Sequence, residues 1–226
     1  MRIIELEEVD STNEYLKREN FKEDCIVVAK RQSAGKGTKG RSFSSEEGGL
    51  YISVMRRYED FPAENAFKIM VNACVAVCKT LESFGIKPVI RWANDVLVGG
   101  KKICGTLIEN TFSNGRITRS IVGMGINVNN DFPEELKKIA ISIKQLLGKE
   151  TDIRVVSDKL TDNVHKNFAI EDYKSYINYF GCAVTLKQAS GERIVIARDV
   201  AEDGRLVVED CGETRKISSA EVTLRL

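Results

Sequence analysis

The residues best equipped for chemistry lie in one stretch, Gln32-Ser33-Ala34-Gly35-Lys36-Gly37-Thr38-Lys39-Gly40-Arg41. Its glycines are interleaved with Lys36, Lys39 and Arg41, a pattern suited to an anion. Glycine lets backbone amides come close to a ligand and adopt positive φ, while ammonium and guanidinium groups neutralise phosphate charge. The stretch is not a Walker loop, since Gly-x-x-x-x-Gly-Lys-Ser/Thr is absent, and no helical pattern follows Gly35-x-Gly37-x-x-Gly40 as a dinucleotide fold requires. Alone it reads either as a phosphate clamp or as a solvated loop.

A second group, Arg91-Trp92-Ala93-Asn94-Asp95, sets the only tryptophan beside a cation, an amide and a carboxylate among apolar runs. Polar groups there need partners. They form either part of a site or a strand-to-strand turn with Trp92 in the core and Asn94-Asp95 shaping the bend. Lys102 follows Gly99-Gly100 on a strand, where a lysine is either a solvated edge residue or a cation aimed at a ligand. Gly123-Met124-Gly125-Ile126-Asn127 closes an apolar strand; its paired glycines either make a turn or let a flat ligand lie against the backbone. His165, the sole histidine, has no neighbours at metal or triad spacing and reads as structural.

Positioning these residues requires a sheet. Arg2 to Val9 reads as a strand, and Asp10-Ser11-Thr12-Asn13-Glu14 supplies N-cap residue types before a short amphipathic helix, Tyr15 to Arg18. Cys25–Ala29 and Leu50–Met55 are strand-like, and Pro62 to Phe84 spaces Ala66, Ile69, Met70, Ala73, Val77 and Leu81 as a core helix does. Pro88–Trp92, Asp95–Val98, Ile103–Glu109 and Ser120–Val128 are further strands, with Gly99-Gly100 as a hairpin turn. Pro133 to about Tyr179 turns helical, with Leu136, Ile139, Ile143, Leu146 and Leu160 at helical spacing. Gly181 to Leu226 then holds short alternating runs (VTL, RIVIA, RLVVE, EVTLRL), the signature of a small β-barrel. The expected division is residues 1–180 and 181–226.

A chain of 226 residues buries a core without disulfides, and the six cysteines, Cys25, Cys74, Cys78, Cys104, Cys182 and Cys211, form no CxxC and read as reduced thiols. With 34 basic and 33 acidic side chains the net charge is +1, so no global field draws the molecule to nucleic acid or an anionic membrane. No apolar run is long enough to span a bilayer, and the charged start is not a secretory signal. Cytoplasmic location, with no nucleic-acid or membrane partner, is the expectation.

Taken in order, Asp10-Ser11-Thr12-Asn13, the Gln32–Arg41 loop, Arg91-Trp92-Ala93-Asn94-Asp95, Gly100-Lys101-Lys102-Ile103-Cys104-Gly105 and Gly123–Asn127 closely resemble the biotin–protein ligase family. The resemblance covers essentially the whole chain. It implies an α/β (α+β) catalytic domain, a mixed sheet with helices like that of class II aminoacyl-tRNA synthetases, followed by an SH3-like barrel. The implied reaction joins biotin and ATP to biotinyl-5'-AMP, releases pyrophosphate and passes biotin to a lysine of a biotin carboxyl carrier protein. The resemblance assigns Ser11, Thr12, Asn13 and Gln32 to biotin's ring. It assigns Gly35, Lys36, Gly37, Thr38 and Arg41 to the loop over the adenylate, with Trp92 and Gly105 lining the substrate site. Asn94, Asp95 and Asn127 fall to ATP, Asp95 also to Mg²⁺, and Lys102 to the reacting carboxylate and phosphate as the catalytic cation. It further implies a homodimer.

Three departures stand out. The family's loop usually reads Gly-Arg-Gly-Arg-x-Gly-Arg, whereas Lys36 and Thr38 replace both early arginines. Lysine keeps charge without the bidentate fork and threonine keeps neither, so a looser hold on the adenylate is expected. Arg91-Trp92-Ala93 stands for Lys-Trp-Pro, and Phe43 for a usual tryptophan. The catalytic pattern starts at Arg2, so a ligase without an N-terminal helix-turn-helix domain is expected. The rival readings are a lipoate–protein ligase and a sensor that binds without turnover; Gln32 and Arg91–Asp95 favour biotin, and Lys102 favours an enzyme.

Overall fold

The structure, a computed structural model, describes residues 1–188, 191–219 and 223–225. It opens with β1 (Arg2–Val9), α1 (Thr12–Glu19), β2 (Cys25–Gln32) and β3 (Leu50–Arg57). After α2 (Ala66–Glu82) come β4 (Val89–Arg91), β5 (Asp95–Val98), β6 (Lys101–Ser113) and β7 (Arg116–Ile126). These strands form one seven-stranded sheet in the order β1-β2-β3-β7-β6-β5-β4. Only β1 and β2 pair in parallel; every other pairing is antiparallel.

Because side chains alternate across a strand, β3 serves both faces. Ile52 and Val54 join a large apolar cluster with Cys74 and Val77 of α2 and with Val122 and Met124 of β7. Met55 joins a small cluster with Leu16 of α1, Cys25, Val27 and Ile121 on the other face. That small cluster leaves most of the second face to polar residues, and the site lies there.

Turn chemistry sets the strand lengths. Gly99 and Gly100 both take positive φ between β5 and β6, as a two-residue hairpin demands. Asn114 and Gly115 do the same between β6 and β7, and this Asn-Gly turn carries both strands well beyond the expected Ile103–Glu109 and Ser120–Val128. The long helix is shorter than its apolar pattern: after Pro62 a 3-10 turn, Ala63–Asn65, precedes α2, and left-handed Gly85 stops the chain soon after its end.

The helical stretch expected from Pro133 resolves into α3 (Glu134–Lys137), α4 (Ile143–Leu147), α5 (Ile153–Val164) and α6 (Ile170–Ser175). A Ser142–Gln145 capping box starts α4 and left-handed Gly148 ends it, so periodicity continues where the helix does not. A second sheet, in the order β11-β10-β9-β8-β12, follows from β8 (Ala183–Gln188), β9 (Gly191–Val200), β10 (Leu206–Asp210), β11 (Glu213–Ile217) and β12 (Thr223–Arg225). Of the EVTLRL run, Glu221, Val222 and Leu226 lie outside the described residues. The two sheets share one apolar cluster, to which Val184, Leu186, Val195 and Val208 belong. Gly204 packs so closely on Phe67 that a Cβ would fall 2.3 Å from the ring, and its φ of +83° also favours glycine.

Candidate functional site

Three glycines make the floor. Gly105 of β6 is paired with Gly125 of β7, and Leu107 with Gly123, which sets three bare positions on one face of adjacent strands. A Cβ on Gly123 would come 2.5 Å from Asn13 Oδ1, one on Gly125 would come 2.5 Å from the Phe43 ring, and one on Gly105 would come 2.8 Å from Lys102 Nζ. The glycines thus let Asn13, Phe43 and Lys102 lie against the sheet. Over this floor opens a cavity lined by Ser11, Thr12, Asn13, Gln32, Lys36, Gly37, Thr38, Phe43, Asn94, Lys102 and the glycines themselves.

One wall of this cavity is neutral and tightly hydrogen-bonded, while Lys36 and Lys102 bring charge to the rest of the lining. The N-terminal turn of α1 buries Ser11, Thr12 and Asn13. Gln32 Oε1 accepts from the Thr12 amide at 2.9 Å and from its hydroxyl at 3.1 Å, while Gln32 Nε2 donates to Ser45 Oγ at 2.8 Å. Ser53 Oγ stands 2.6 Å from both Thr12 Oγ1 and Asn13 Oδ1. Asn13 Nδ2 donates to Glu109 at 2.8 Å. Gly35 packs behind the wall, where a Cβ would meet Phe43 O and Ser45 Oγ at 2.4 Å.

A second cavity adjoins the first and shares Thr38 and Asn94 with it. Lys39, Arg41 and Arg91 make it cationic; Trp92, Ala93 and Asp95 also line it. Burial lowers the pKa of the Lys39 ammonium, as does the Arg41 charge beside it. Asp95 accepts from Arg91 on Oδ2 at 2.6 Å and pairs with Lys102 on Oδ1 at 2.7 Å. Burial pushes the Asp95 pKa up, but the Lys102 charge and the Arg91 hydrogen bond outweigh it and hold the carboxyl below the usual range. Lys102 therefore lines the first cavity while pairing with Asp95 of the cationic one, its Nζ 5.5 Å from the centre of the Phe43 ring.

Two sequence candidates serve the frame. Trp92 Nε1 donates to Gly204 O at 2.9 Å and Trp92 N to Tyr179 Oη at 2.9 Å, so its polar atoms tie the turn to the second sheet while the side chain borders the cationic cavity. Asn127 lines neither cavity; its Nδ2 donates to Lys102 O and Ile141 O at 3.2 Å, which fixes the backbone that carries Lys102. His165 sits outside both cavities, with Arg56 beside it. Sequence reasoning missed Glu14, Lys17, Ser53 and Glu109. Lys36 Nζ pairs with Glu14 at 2.7 Å, and Lys17 pairs with Glu14 at 2.8 Å and with Glu109 at 2.6 Å. The available signal was a serine and a glutamate inside strands otherwise apolar on that stretch. A larger cavity, about 540 Å³, lies between β1, β2 and α5, but none of the sequence-selected site residues reaches it.

The mixed sheet thus carries two adjoining cavities, with Lys102 lining the first and paired with Asp95 of the second. A family model described as the biotin/lipoate A/B protein ligase family matches residues 5–127, and one described as the biotin protein ligase C terminal domain matches residues 179–225. The chain belongs to the biotin/lipoate A/B protein ligase family. It is 33% identical to the bifunctional ligase/repressor BirA of Bacillus subtilis, over 97% of this chain and 72% of that protein. It is 26% identical to the biotin--[acetyl-CoA-carboxylase] ligase of Mycobacterium tuberculosis, over 87% of this chain and 77% of the relative. Among solved structures, the biotin protein ligase from Aquifex aeolicus in complex with biotin and ATP matches with a TM-score of 0.80 and 32% identity, over 99% of this chain and 98% of the other.

Proposed function

We propose that the chain is a biotin–protein ligase. The observation that carries this reading is Lys102, which lines the cavity with the neutral, hydrogen-bonding wall and pairs with Asp95 of the adjoining cationic cavity. The neutral wall of the first cavity suits biotin's uncharged ring system, held by Ser11, Thr12, Asn13 and Gln32 over Gly105. Lys36, Gly37 and Thr38, with Gly35 behind them, close over the adenylate, and Arg41, Trp92, Asn94 and Asp95 border the nucleotide. Asn127 acts from behind, by holding the Lys102 backbone.

The chemistry follows. A biotin carboxylate oxygen attacks the α-phosphorus of ATP, the bond to the β-phosphate bridge breaks, and pyrophosphate leaves. Two anions must meet, and Lys102 offsets their repulsion and stabilises charge developing on the phosphoryl group. An acceptor lysine amine, in a biotin carboxyl carrier protein, then attacks the mixed anhydride carbonyl and expels AMP. Mg²⁺ is proposed only as part of the nucleotide substrate. Asp95 is the sole carboxylate among the described residues of the cationic cavity, and both its oxygens are engaged by cations, so as a direct metal ligand it does not fit.

The proposal includes a division near residue 180, supported by the two sheets, and a homodimer through the sheet edge, where β1 is outermost and Ile3 is 56% exposed. It also includes a cytoplasmic location without nucleic-acid or membrane partners. No helix among the described residues is long and apolar enough to cross a membrane, and Cys25, Cys74, Cys78 and Cys104 are buried free thiols, with burial pushing Cys104 up to about 12. The test is pyrophosphate release from ATP with biotin or lipoate as co-substrate. Release that requires biotin supports the reading; release with lipoate alone moves it to a lipoate ligase, and binding without release to a sensor.

A further inference from the structure

The chain beyond β2 folds into a small hairpin that supplies Lys36, Gly37, Thr38 and Phe43 to the lining of the first cavity. Its root is pinned, because Ser33 N donates to Val9 O at 2.9 Å and Ala34 N to Asp10 O at 2.8 Å. Above the root, Phe43 N donates to Gly35 O at 2.8 Å, Lys36 and Ser42 form an antiparallel bridge, and Gly37 N donates to Arg41 O at 2.7 Å. Lys39 and Gly40 turn the chain at the tip with φ of +59° and +72°. Successive rungs couple the two arms, so a hold on one side chain is a hold on the whole flap.

Lys36 supplies such a hold. Its Nζ meets Glu14 Oε1 of α1 at 2.7 Å, with the two side chains 50% and 24% exposed. Glu14 lies outside the cavity lining, so the pair joins the flap to α1 at the rim. Lys17 braces Glu14 from behind: its Nζ lies 2.8 Å from Glu14 Oε1 and 2.6 Å from Glu109 Oε1 of β6. The Lys17 hydrogen bond first, and the Lys36 one second, hold the Glu14 carboxyl below the usual carboxylate range, so it is ionised near neutrality.

The charge count separates this group from Lys102. Lys17 and Lys36 face two carboxylates, Glu14 and Glu109, and the four sum to zero. Arg91 and Lys102 share one carboxylate, Asp95, and keep a charge of +1. An anion in the first cavity is therefore drawn to the Lys102 side, while the Lys36 ammonium is already matched.

We infer that Glu14 is a positioning residue that latches residues 35–43 over the first cavity through Lys36, so that the acyl-adenylate is retained by an ion pair within the chain and not by a Lys36–phosphate contact; the identity of that adenylate rests on the proposed biotin reading. The latch itself belongs to the free protein. Glu14 and Lys36 then act as one unit, whereas a phosphate-binding Lys36 would be freed by the loss of Glu14 and hold its ligand more tightly.

The test follows loss of labelled biotinyl-adenylate, formed on the protein from biotin and Mg-ATP, after dilution into unlabelled biotin. Wild type is compared with Glu14→Gln, Lys36→Met, the double variant and Lys17→Met. Each of the first two variants is expected to speed loss about three- to fivefold, the range of an ion pair half open to water, and the double variant no more than either. Lys17→Met leaves the Lys36–Glu14 pair in place and is expected to retain the adenylate as wild type does. Faster loss in Lys36→Met with unchanged or slower loss in Glu14→Gln overturns the latch and returns Lys36 to the phosphate. Equal loss in Lys17→Met and Glu14→Gln also overturns it, because Glu14 would then act by bracing α1. Trypsin cleavage after Lys39 and Arg41 in the ligand-free protein reads the same latch without any ligand: Glu14→Gln is expected to be cut about three- to fivefold faster, and an unchanged rate overturns the inference. A wild type that forms no adenylate but shows the trypsin effect overturns the proposed function and leaves the latch standing.

Discussion

Lys102→Ala removes the cation that lines the first cavity and pairs with Asp95 of the second, and its effects on stability and on chemistry separate. The Lys102–Asp95 pair is partly buried, with side chains 31% and 17% exposed. Its loss therefore falls between that of an exposed pair, about 0–1 kcal/mol, and a buried pair broken on one side, about 3–5 kcal/mol. Asp95 keeps Arg91 at 2.6 Å, so no orphaned charge remains and the cost sits near the lower figure. A loss of about 1 kcal/mol lowers Tm by about 2–4 °C in a chain of this size. The chemical step loses far more: a donor aimed at charge that develops in the transition state is worth about 10²–10³ in rate, or about 3–4 kcal/mol. Pyrophosphate release at saturating biotin and ATP, measured beside a thermal melt, reads both quantities. A variant that retains activity within about tenfold of wild type refutes the assignment of Lys102 to the transition state. A variant that melts much earlier and loses activity only in proportion makes Lys102 a structural residue.

Three further predictions follow from the same geometry. Gly123→Ala places a Cβ 2.5 Å from Asn13 Oδ1 and must displace it, so calorimetric titration should show biotin binding weakened by about tenfold or more while ATP affinity holds. Asp95 has a folded pKa below its ordinary value of 3.8, so its share of stability is fully present well above that pH and is lost as pH falls through the folded pKa. The stability difference between wild type and Asp95→Asn, read by denaturant titration across pH, should be constant near neutrality and shrink below pH 3.8; a difference that grows on acidification contradicts the ion-pair account. Thr38→Arg supplies a bidentate guanidinium beside both cavities and should slow loss of bound adenylate about tenfold in a filter-retention assay, with an unchanged off-rate counting against the looser-loop reading.

The frame was legible because local rules govern it. Strand-like runs mark β1 to β3, paired glycines mark the β5–β6 turn, and the lack of periodicity from Gln32 to Arg41 marks a loop, although Gln32 itself ends β2. The Asn114-Gly115 turn is an equally local signal, and it carries β6 and β7 past the apolar runs that predict them. The site was legible in its residue types around Ser11–Asn13, Gln32, Lys36–Thr38 and Lys102, all of which converge on one cavity. What the sequence hid is long-range partnership. Glu109 meets Asn13 across 96 positions, and Ser53 meets Thr12 across 41, and no spacing rule reports such contacts. Trp92 and Asn127 carried the same ambiguity: a lone indole and a strand-end amide look alike whether they meet a ligand or the backbone of Gly204 and Lys102.

The most direct test of the central claim incubates the purified protein with labelled biotin, Mg-ATP and a biotin carrier domain, with lipoate as competitor and Lys102→Ala as control. Label is expected on the carrier's lysine that requires ATP, is unaffected by lipoate and is nearly abolished in Lys102→Ala. Tightly bound biotin with no transfer to the carrier contradicts it, as does transfer that survives the loss of Lys102.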